Sequence, residues 1–210
     1  MDGIDCALIE TNGQDFKRLN KNLLFPYRKE TFELLKYSTQ IVNFITNEKE
    51  NFRILENLVT EDHAEAVYAF KKKFKLNFEL IGFHGQTIFH DPKNKSTIQI
   101  GNGEKLSYLT NQDVVCNFRQ NDLFHGGEGS PISPVYHIEI MKKEGLKLPA
   151  CFLNIGGVSN LTWWDGEKML AFDTGPGNAL IDSYLQKFNN IAYDKNGALA
   201  YKGNPQKQLI

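Results

Sequence analysis

Residues 150–178 read ACFLNIGGVSNLTWWDGEKMLAFDTGPGN. Three closely spaced runs, 150–155, 158–164 and 168–172, have the aliphatic, aromatic and β-branched composition of strands. Gly156-Gly157 separates the first two, and Asp165-Gly166 makes a tight hairpin signal between the second and third. After the turn residues Gly175, Pro176 and Gly177, a helix is predicted over 178–188. Hairpins here and strand–helix–strand alternation upstream together predict an α/β fold with a mixed sheet. A second structural unit is predicted to begin near Leu148, dividing the chain into 1–147 and 148–210.

Working outward from that stretch, Cys6 to Glu10 reads as a strand ended by the turn pair Asn12-Gly13. Residues 32–44 carry apolar side chains at helical spacing. Asp62 and Glu65 resemble a capping box, opening a helix whose Val67, Phe70 and Phe74 share a face. Residues 79–82 and 96–100 read as strands, 103–110 as a helix and 113–116 as a short buried strand. The turn-rich loop 126–131 precedes a helix predicted over 134–143.

Composition narrows the function classes. The 210 residues carry a formal net charge of -1, are 41% hydrophobic and 23% charged, as ordinary soluble globular domains are. That balance argues against nucleic acid or an anionic membrane as the main partner. Lys71-Lys72-Lys73, between Phe70 and Phe74, reads as the solvated face of a helix. Cys6, Cys116 and Cys151 lie in or beside apolar runs and are expected as buried free thiols, pointing to a reducing cytoplasm. No apolar run approaches membrane-span length, and residues 1–5 lack a signal-peptide layout. Cytoplasmic localisation is the expectation.

Four segments carry candidate chemistry. In 172–178 the Asp173 carboxylate is expected at a strand end before Gly175, Gly177 and Asn178. Glycines there let a substrate approach the backbone, and N–H groups at the helix start favour an anion. The same residues would also make an ordinary helix cap with turn glycines. Gly156-Gly157 suits a hairpin whose N–H groups face a phosphate, or merely a hairpin. Asp2 and Asp5, three apart around Gly3 and Ile4, could hold hydrated magnesium, or form a polar N-terminal turn. His84, Gln86, Thr87, Thr97, Gln99 and Arg119 supply neutral donors and acceptors and one guanidinium, suited to a sugar bearing a carboxylate; a satisfied polar network is the alternative. His63, His84, His90, His125 and His137 match no zinc spacing.

The ordered set D-G-I-D (2–5), H-G-Q-T (84–87), T-I-Q-I-G (97–101), N-F-R (117–119), G-G-E-G-S-P (126–131), N-I-G-G-V-S-N-L-T (154–162), F-D-T-G-P-G-N-A-L-I-D (172–182) and D-K-N-G-A-L-A (194–200) resembles the anhydro-N-acetylmuramic acid kinases across almost the whole chain. The resemblance implies an actin-like ATPase (ribonuclease H-like) fold with mixed sheets. Its first domain, 1–147, would be nearly complete but lack its first strand, and 148–210 would begin the second. It implies ATP and Mg²⁺ as cofactors, an amino-sugar substrate, and room for a homodimer in full-length members. Asp173 would correspond to the catalytic base. Arg119 with Thr97, Gln99, His84, Gln86 and Thr87 would form the substrate pocket. Met1, Asp2, Gly3, Ile4 and Asp5 would end the ATP phosphate loop, with Gly156, Gly157, Gly175, Gly177 and Asn178 as further phosphate contacts and Asp2 and Asp5 toward the metal. In the implied reaction, water opens the 1,6-anhydro ring while O6 takes the γ-phosphoryl, giving N-acetylmuramic acid 6-phosphate in peptidoglycan recycling.

Three departures accompany the resemblance. The family's phosphate loop begins with Gly-Thr-Ser and a preceding strand, so the chain is expected to be shortened at both ends and inactive by itself. Asn117 stands where the family has Asp, and Phe83 where it has Ser. A non-catalytic remnant or interaction module of the same fold, and a related sugar kinase of shifted specificity, are the competing expectations.

Overall fold

The computed structural model describes residues 3–13, 15–39 and 47–204. They divide into two compact units, Met1–Ser130 and Pro131–Ile210. The helix 134–143 therefore groups with the strands that follow it, whereas the sequence reading starts the second unit near Leu148.

In the first unit, strands β1 (Ile4–Thr11) and β2 (Phe16–Phe25) form an antiparallel hairpin. The turn at Asn12-Gly13 closes as predicted: Asp15 N–H donates to Asn12 Oδ1 at 2.7 Å, and Gly13 sits at φ +89°. β2 has no counterpart in the sequence reading. A register shift opposite Ala7 and Ile9 and the left-handed Asn20 (φ 52°) interrupt its alternation, so no clean period of two reaches the eye. Helix α1 (Lys29–Ser38) follows, and the rest of the helix predicted over 32–44 lies outside the described residues.

Helix α2 (Lys49–Phe74) corrects the proposed cap. Asp62 lies in its interior, fully buried, where its carboxylate receives the Arg28 Nε–H and, at 3.2 Å, the Arg28 backbone N–H. The cap-like spacing with Glu65 is incidental; a buried charge needs a partner, and here the partner comes from 34 residues away. Phe70 and Phe74 do share a face, with ring centroids 5.3 Å apart. Lys71, Lys72 and Lys73 fill the last turn, where cations complement the helix dipole.

Strand β3 (Leu80–Gly82) pairs in parallel with β6 (Asp113–Val115), with helix α3 (Gly103–Thr110) between them in sequence. β4 (Gln86–Asp91) and β5 (Ser96–Ile100) form a bulged hairpin. β4, and helix α4 (Phe118–Phe124) after β6, are further elements that the sequence reading omits. Each is short, and the polar residues of β4 hide its period. The core is built from Leu35, Leu55, Val59 and Ile100 in one cluster and Ala64, Phe83 and Leu106 in another. Each large side chain so buried contributes about 1.5–3 kcal/mol. Phe83, the departure before H-G-Q-T, is thus a core residue, its ring seated over Gly101, where a Cβ would come within 2.5 Å of it.

In the second unit, β7 (Ala150–Ile155), β8 (Val158–Trp164) and β9 (Met169–Pro176) make an antiparallel sheet in that order. Helix α5 (Pro134–Lys143) covers one face: His137 stacks on Phe152 at 4.6 Å and 9°, and its Nδ1 lies 2.9 Å from Thr162 Oγ1. Residues directly opposite one another share a face, so Cys151, Trp163 and Leu170, with Leu153, Leu161 and Phe172, lie on the other. Leu153, Leu170 and Phe172 are exposed there. Cys151 is exposed too, against the expectation of a buried thiol, because it stands on an edge strand and on the uncovered face. Helix α6 (Ala179–Asn189) closes the unit. The architecture is mixed α/β with several small sheets.

Candidate functional site

The residues singled out from sequence fall into two local groups, one in each unit. In the first unit, β5 presents Thr97 and Gln99 beside Thr87 of β4. The Gln99 carboxamide donates to Thr97 Oγ1 at 2.8 Å and to Thr87 Oγ1 at 3.2 Å. Its Oε1 is buried without a hydrogen-bond partner among the described residues, an acceptor in reserve. His90 Nδ1 lies 3.1 Å from Thr97 Oγ1, and Gln120 Nε2 donates to the Thr97 carbonyl at 3.5 Å.

Arg119 stands in the first turn of α4. Asn117, preceding that helix, adopts the left-handed conformation (φ 62°), which short polar side chains tolerate. The Arg119 Nε–H donates to His84 Nε2 at 2.8 Å, and Nη1 donates to the Gly129 carbonyl at 2.7 Å. His84 Nδ1 faces the Gly85 carbonyl at 2.8 Å, which assigns the neutral Nδ1–H tautomer with Nε2 as acceptor. Burial lowers the His84 pKa from its ordinary value, and the Arg119 charge acts in the same direction. Burial likewise lowers that of Arg119. The guanidinium is thus held through Nε and Nη1, and Nη2 has no hydrogen-bond partner among the described residues, which leaves donors for an anion.

Gly3, Ile4 and Asp5 line one cavity of about 330 Å³ together with His84 and Gln86. Ile4 is buried, whereas Asp5 is exposed. Gly3 (φ +154°) lies against the Phe25 carbonyl, where a Cβ would stand 2.5 Å from the oxygen. Met1 and Asp2 lie outside the described residues. Tyr27 and His63 line the same cavity and carry no sequence motif. His63 packs edge-on against Phe83, with ring centroids 4.9 Å apart. Burial lowers the His63 pKa, and burial with the Asp62 charge pushes Tyr27 up to about 12.

In the second unit, Gly156-Gly157 turns the β7–β8 hairpin, and its carbonyls receive the N–H groups that open α6. Asn178 N–H donates to Gly156 O at 2.8 Å; Gly177 and Ala179 donate to Gly157 O at 2.8 and 3.2 Å. Three donors at the helix start are therefore satisfied by the hairpin in this arrangement. Gly177 is required by contact, since a Cβ there would collide with the Gly156 carbonyl and lie 2.9 Å from Ser159 Oγ. β9 runs through Gly175 to Pro176, so Asp173 lies inside the strand rather than at its end. It is exposed and stands opposite Asn160, which in turn opposes Asn154. This cross-strand row, Asn154–Asn160–Asp173, shares the sheet face on which α5 packs. The sequence reading quotes its asparagines within the 154–162 motif without a role, and gives none to His90, Gln120 and Asp122 in the first unit. Only the register of paired strands in the second unit, and the fold of a loop in the first, brings each group together within its own unit.

Among the described residues no group of three or more His, Cys, Asp or Glu side chains is placed to hold a metal ion. No described helix is long and apolar enough to cross a membrane.

The family model for anhydro-N-acetylmuramic acid kinase matches residues 1–210. Curated relatives carrying that name include one from Agrobacterium fabrum, 37% identical over 219 residues, covering 100% of this chain and 59% of the relative. One from Rhizobium etli is 39% identical over 211 residues, covering 97% of this chain and 57% of the relative. A third, from Pelagibacter ubique, is 34% identical over 216 residues, covering 100% and 58%. The chain thus spans 57–59% of the length of these relatives.

Proposed function

The chain belongs to the anhydro-N-acetylmuramic acid kinase family, and from that premise we propose that the protein opens 1,6-anhydro-N-acetylmuramic acid with water and phosphorylates it at O6 using ATP. Water attacks the anomeric carbon, the C1–O6 bond breaks, and O6 takes the γ-phosphoryl as ADP leaves. Asp173 accepts the proton of that water, a role requiring hydrogen-bond reach of it. Its exposed place on β9 leaves the carboxylate accessible to a substrate.

The observation that carries the substrate assignment is the setting of Arg119. A guanidinium braced by His84 and Gly129, beside the Thr87–Gln99–Thr97 row, matches a sugar that has hydroxyl groups and one carboxylate. The lactyl carboxylate takes the open Nη edge, and the reserve acceptor on Gln99 takes a hydroxyl. Gly3, Ile4 and Asp5, lining the same cavity as His84 and Gln86, support a phosphate-side role for the first residues of the chain. Asp5 offers an exposed hard oxygen, and Mg²⁺ favours one or two carboxylates together with its waters and substrate phosphates. Asp5, with Asp2, would hold that ion, which neutralises charge on the phosphates. Gly156, Gly157, Gly175, Gly177 and Asn178 form the second phosphate contact, which requires the Gly177 and Asn178 N–H groups to leave the hairpin carbonyls they bond in this arrangement. We further propose the actin-like two-domain fold, with 1–147 in the first domain and 148–210 in the second by chain order, although α5 packs with the strands that follow it.

The test is product formation by a chain of full family length from anhydromuramic acid and MgATP in ¹⁸O-water. The label is expected at the C1 hydroxyl of N-acetylmuramic acid 6-phosphate. Label in inorganic phosphate, or no sugar phosphate, overturns the proposal.

A further inference from the structure

Arg119 is oriented by its partners, and one of those partners is itself held by a residue outside every motif discussed above. Gly129 is bound through both its backbone polar groups, which belong to the two amides flanking its Cα: its carbonyl accepts from Arg119 Nη1 at 2.7 Å, and its N–H donates to Asp122 Oδ2, also at 2.7 Å. Asp122 fixes the same loop a second time, because its backbone carbonyl accepts the Gly127 N–H at 2.9 Å. Its carboxylate also occupies the space where a Cβ on Gly127 would stand, and on Gly129 (φ +69°) a Cβ would sit 3.1 Å from Leu123, 3.2 Å from the Arg119 carbonyl and 3.3 Å from His90. Both glycines are therefore demanded by the packing of this clamp. Gly129 is buried although its neighbours 124–128 are exposed. A buried loop residue needs its own N–H and C=O satisfied, and Asp122 and Arg119 satisfy those of Gly129.

We propose that Asp122 is a positioning residue for the substrate site: through the backbone of Gly129 it sets the Arg119 guanidinium, and through Arg119 the hydrogen bond that His84 Nε2 accepts. The significance of this relay rests on the reading of Arg119 as the carboxylate anchor. A carboxylate accepting a backbone N–H is a charge-assisted bond, about twice as strong as a neutral one. It fixes Gly129 on its N-terminal side, so that the carbonyl on the other side of the same Cα is held where Arg119 Nη1 reaches it.

The experiment reads Arg119 directly by ¹⁵N NMR of the 210-residue chain, with no dependence on turnover. In the unsubstituted chain the Arg119 Nε–H is expected to exchange with solvent at least tenfold more slowly than that of the exposed Arg53, and His84 to show the Nδ1–H tautomer. Asp122→Ala brings Arg119 exchange to the Arg53 level and shifts the His84 Nε2 resonance as that nitrogen loses its donor, while amides in the Leu35/Leu55/Val59 core keep their protection. Asp122→Asn retains the shape but not the charge, and reduces protection about threefold. Unchanged Arg119 exchange in Asp122→Asn, or in a folded Asp122→Ala, overturns the clamp. So does the absence of slow Arg119 exchange in the unsubstituted chain. The anchor reading is tested separately by calorimetric binding of anhydromuramic acid to full-length Arg119→Lys. Normal sugar binding there overturns the anchor while leaving the clamp standing on its NMR result.

Discussion

Around Arg119 the contacts run from side chain to side chain and from side chain to loop peptide, spanning 35 residues to His84 and 10 to Gly129. Around Asp173 they run from backbone to backbone, with the glycine hairpin carbonyls gripping the start of α6. The first unit buries Leu35, Leu55, Val59, Ile100 and Leu106 almost completely; the second buries Ile140, Met141 and Leu185, and leaves Leu153, Phe172, Leu180 and Tyr184 exposed. Side chains anchored on a packed core are held in one rotamer, which suits recognition of a ligand's shape and charge. A turn held by its own peptide groups leaves the Asp173 side chain unencumbered, which suits a proton acceptor that must reach a reacting water. The contrast fits the proposed division, with binding in the first region and chemistry in the second, and each half of that proposal can be broken.

The largest effect is expected at Asp173. In a full-length chain Asp173→Asn keeps the shape and removes the basicity, and kcat should fall by about 10²–10⁴-fold. Near-normal turnover of anhydromuramic acid would remove the chemistry from the second unit. Next comes stability. Leu55→Ala, in the first core, should cost about 2–5 kcal/mol, whereas Leu180→Ala, on the exposed face of α6, should stay within about 0.5 kcal/mol. Denaturant titration of the two variants tests whether the packing contrast is real; similar losses would erase it.

A smaller effect is expected at Arg119. Arg119→Lys keeps the charge but loses the fork. The sugar KM should rise about tenfold, equivalent to about 1.4 kcal/mol, with the ATP KM unchanged. A change confined to ATP would move Arg119 out of the binding role.

The smallest effect concerns pH. His63 and His84 both have folded-state pKa values lowered from 6.5, in each case chiefly by burial. The unfolded chain therefore takes up protons first as pH falls. The stability these residues confer is present above pH 6.5 and is lost as pH drops from there through their folded-state values. The denaturant midpoint should decline over that window, and less so in His84→Gln. A midpoint that is flat below pH 6.5 would mean the two rings are not held neutral.

Much of the architecture was legible from residues alone. The strands 150–155 and 158–164, the strand 96–100 and the helix 103–110 coincide with β7, β8, β5 and α3, because each pairs a strong local period with clear turn residues at its ends. The ordered motifs identified the family without any structure. β2 was illegible because a bulge breaks its alternation, β4 because polar residues serving the candidate site replace its apolar ones, and α4 because it is too short to show a period. Of the candidate site, His84, Thr87, Thr97, Gln99 and Arg119 were legible as polar residues at element ends, but not the bonds joining them.

Sequence by itself determined the mixed α/β class, the family and the residue types on which chemistry can be built, since periodicity, turn chemistry and motif order are properties of neighbours along the chain. Tertiary structure alone decided that Asp62 is a buried partner of Arg28 rather than a helix cap, that the Gly156-Gly157 carbonyls occupy the first donors of α6, and that Asp122 reaches Arg119 through Gly129. The physical reason is common to all three. A polar group's role depends on which partner satisfies it once water is excluded, and packing, more than proximity in sequence, selects that partner.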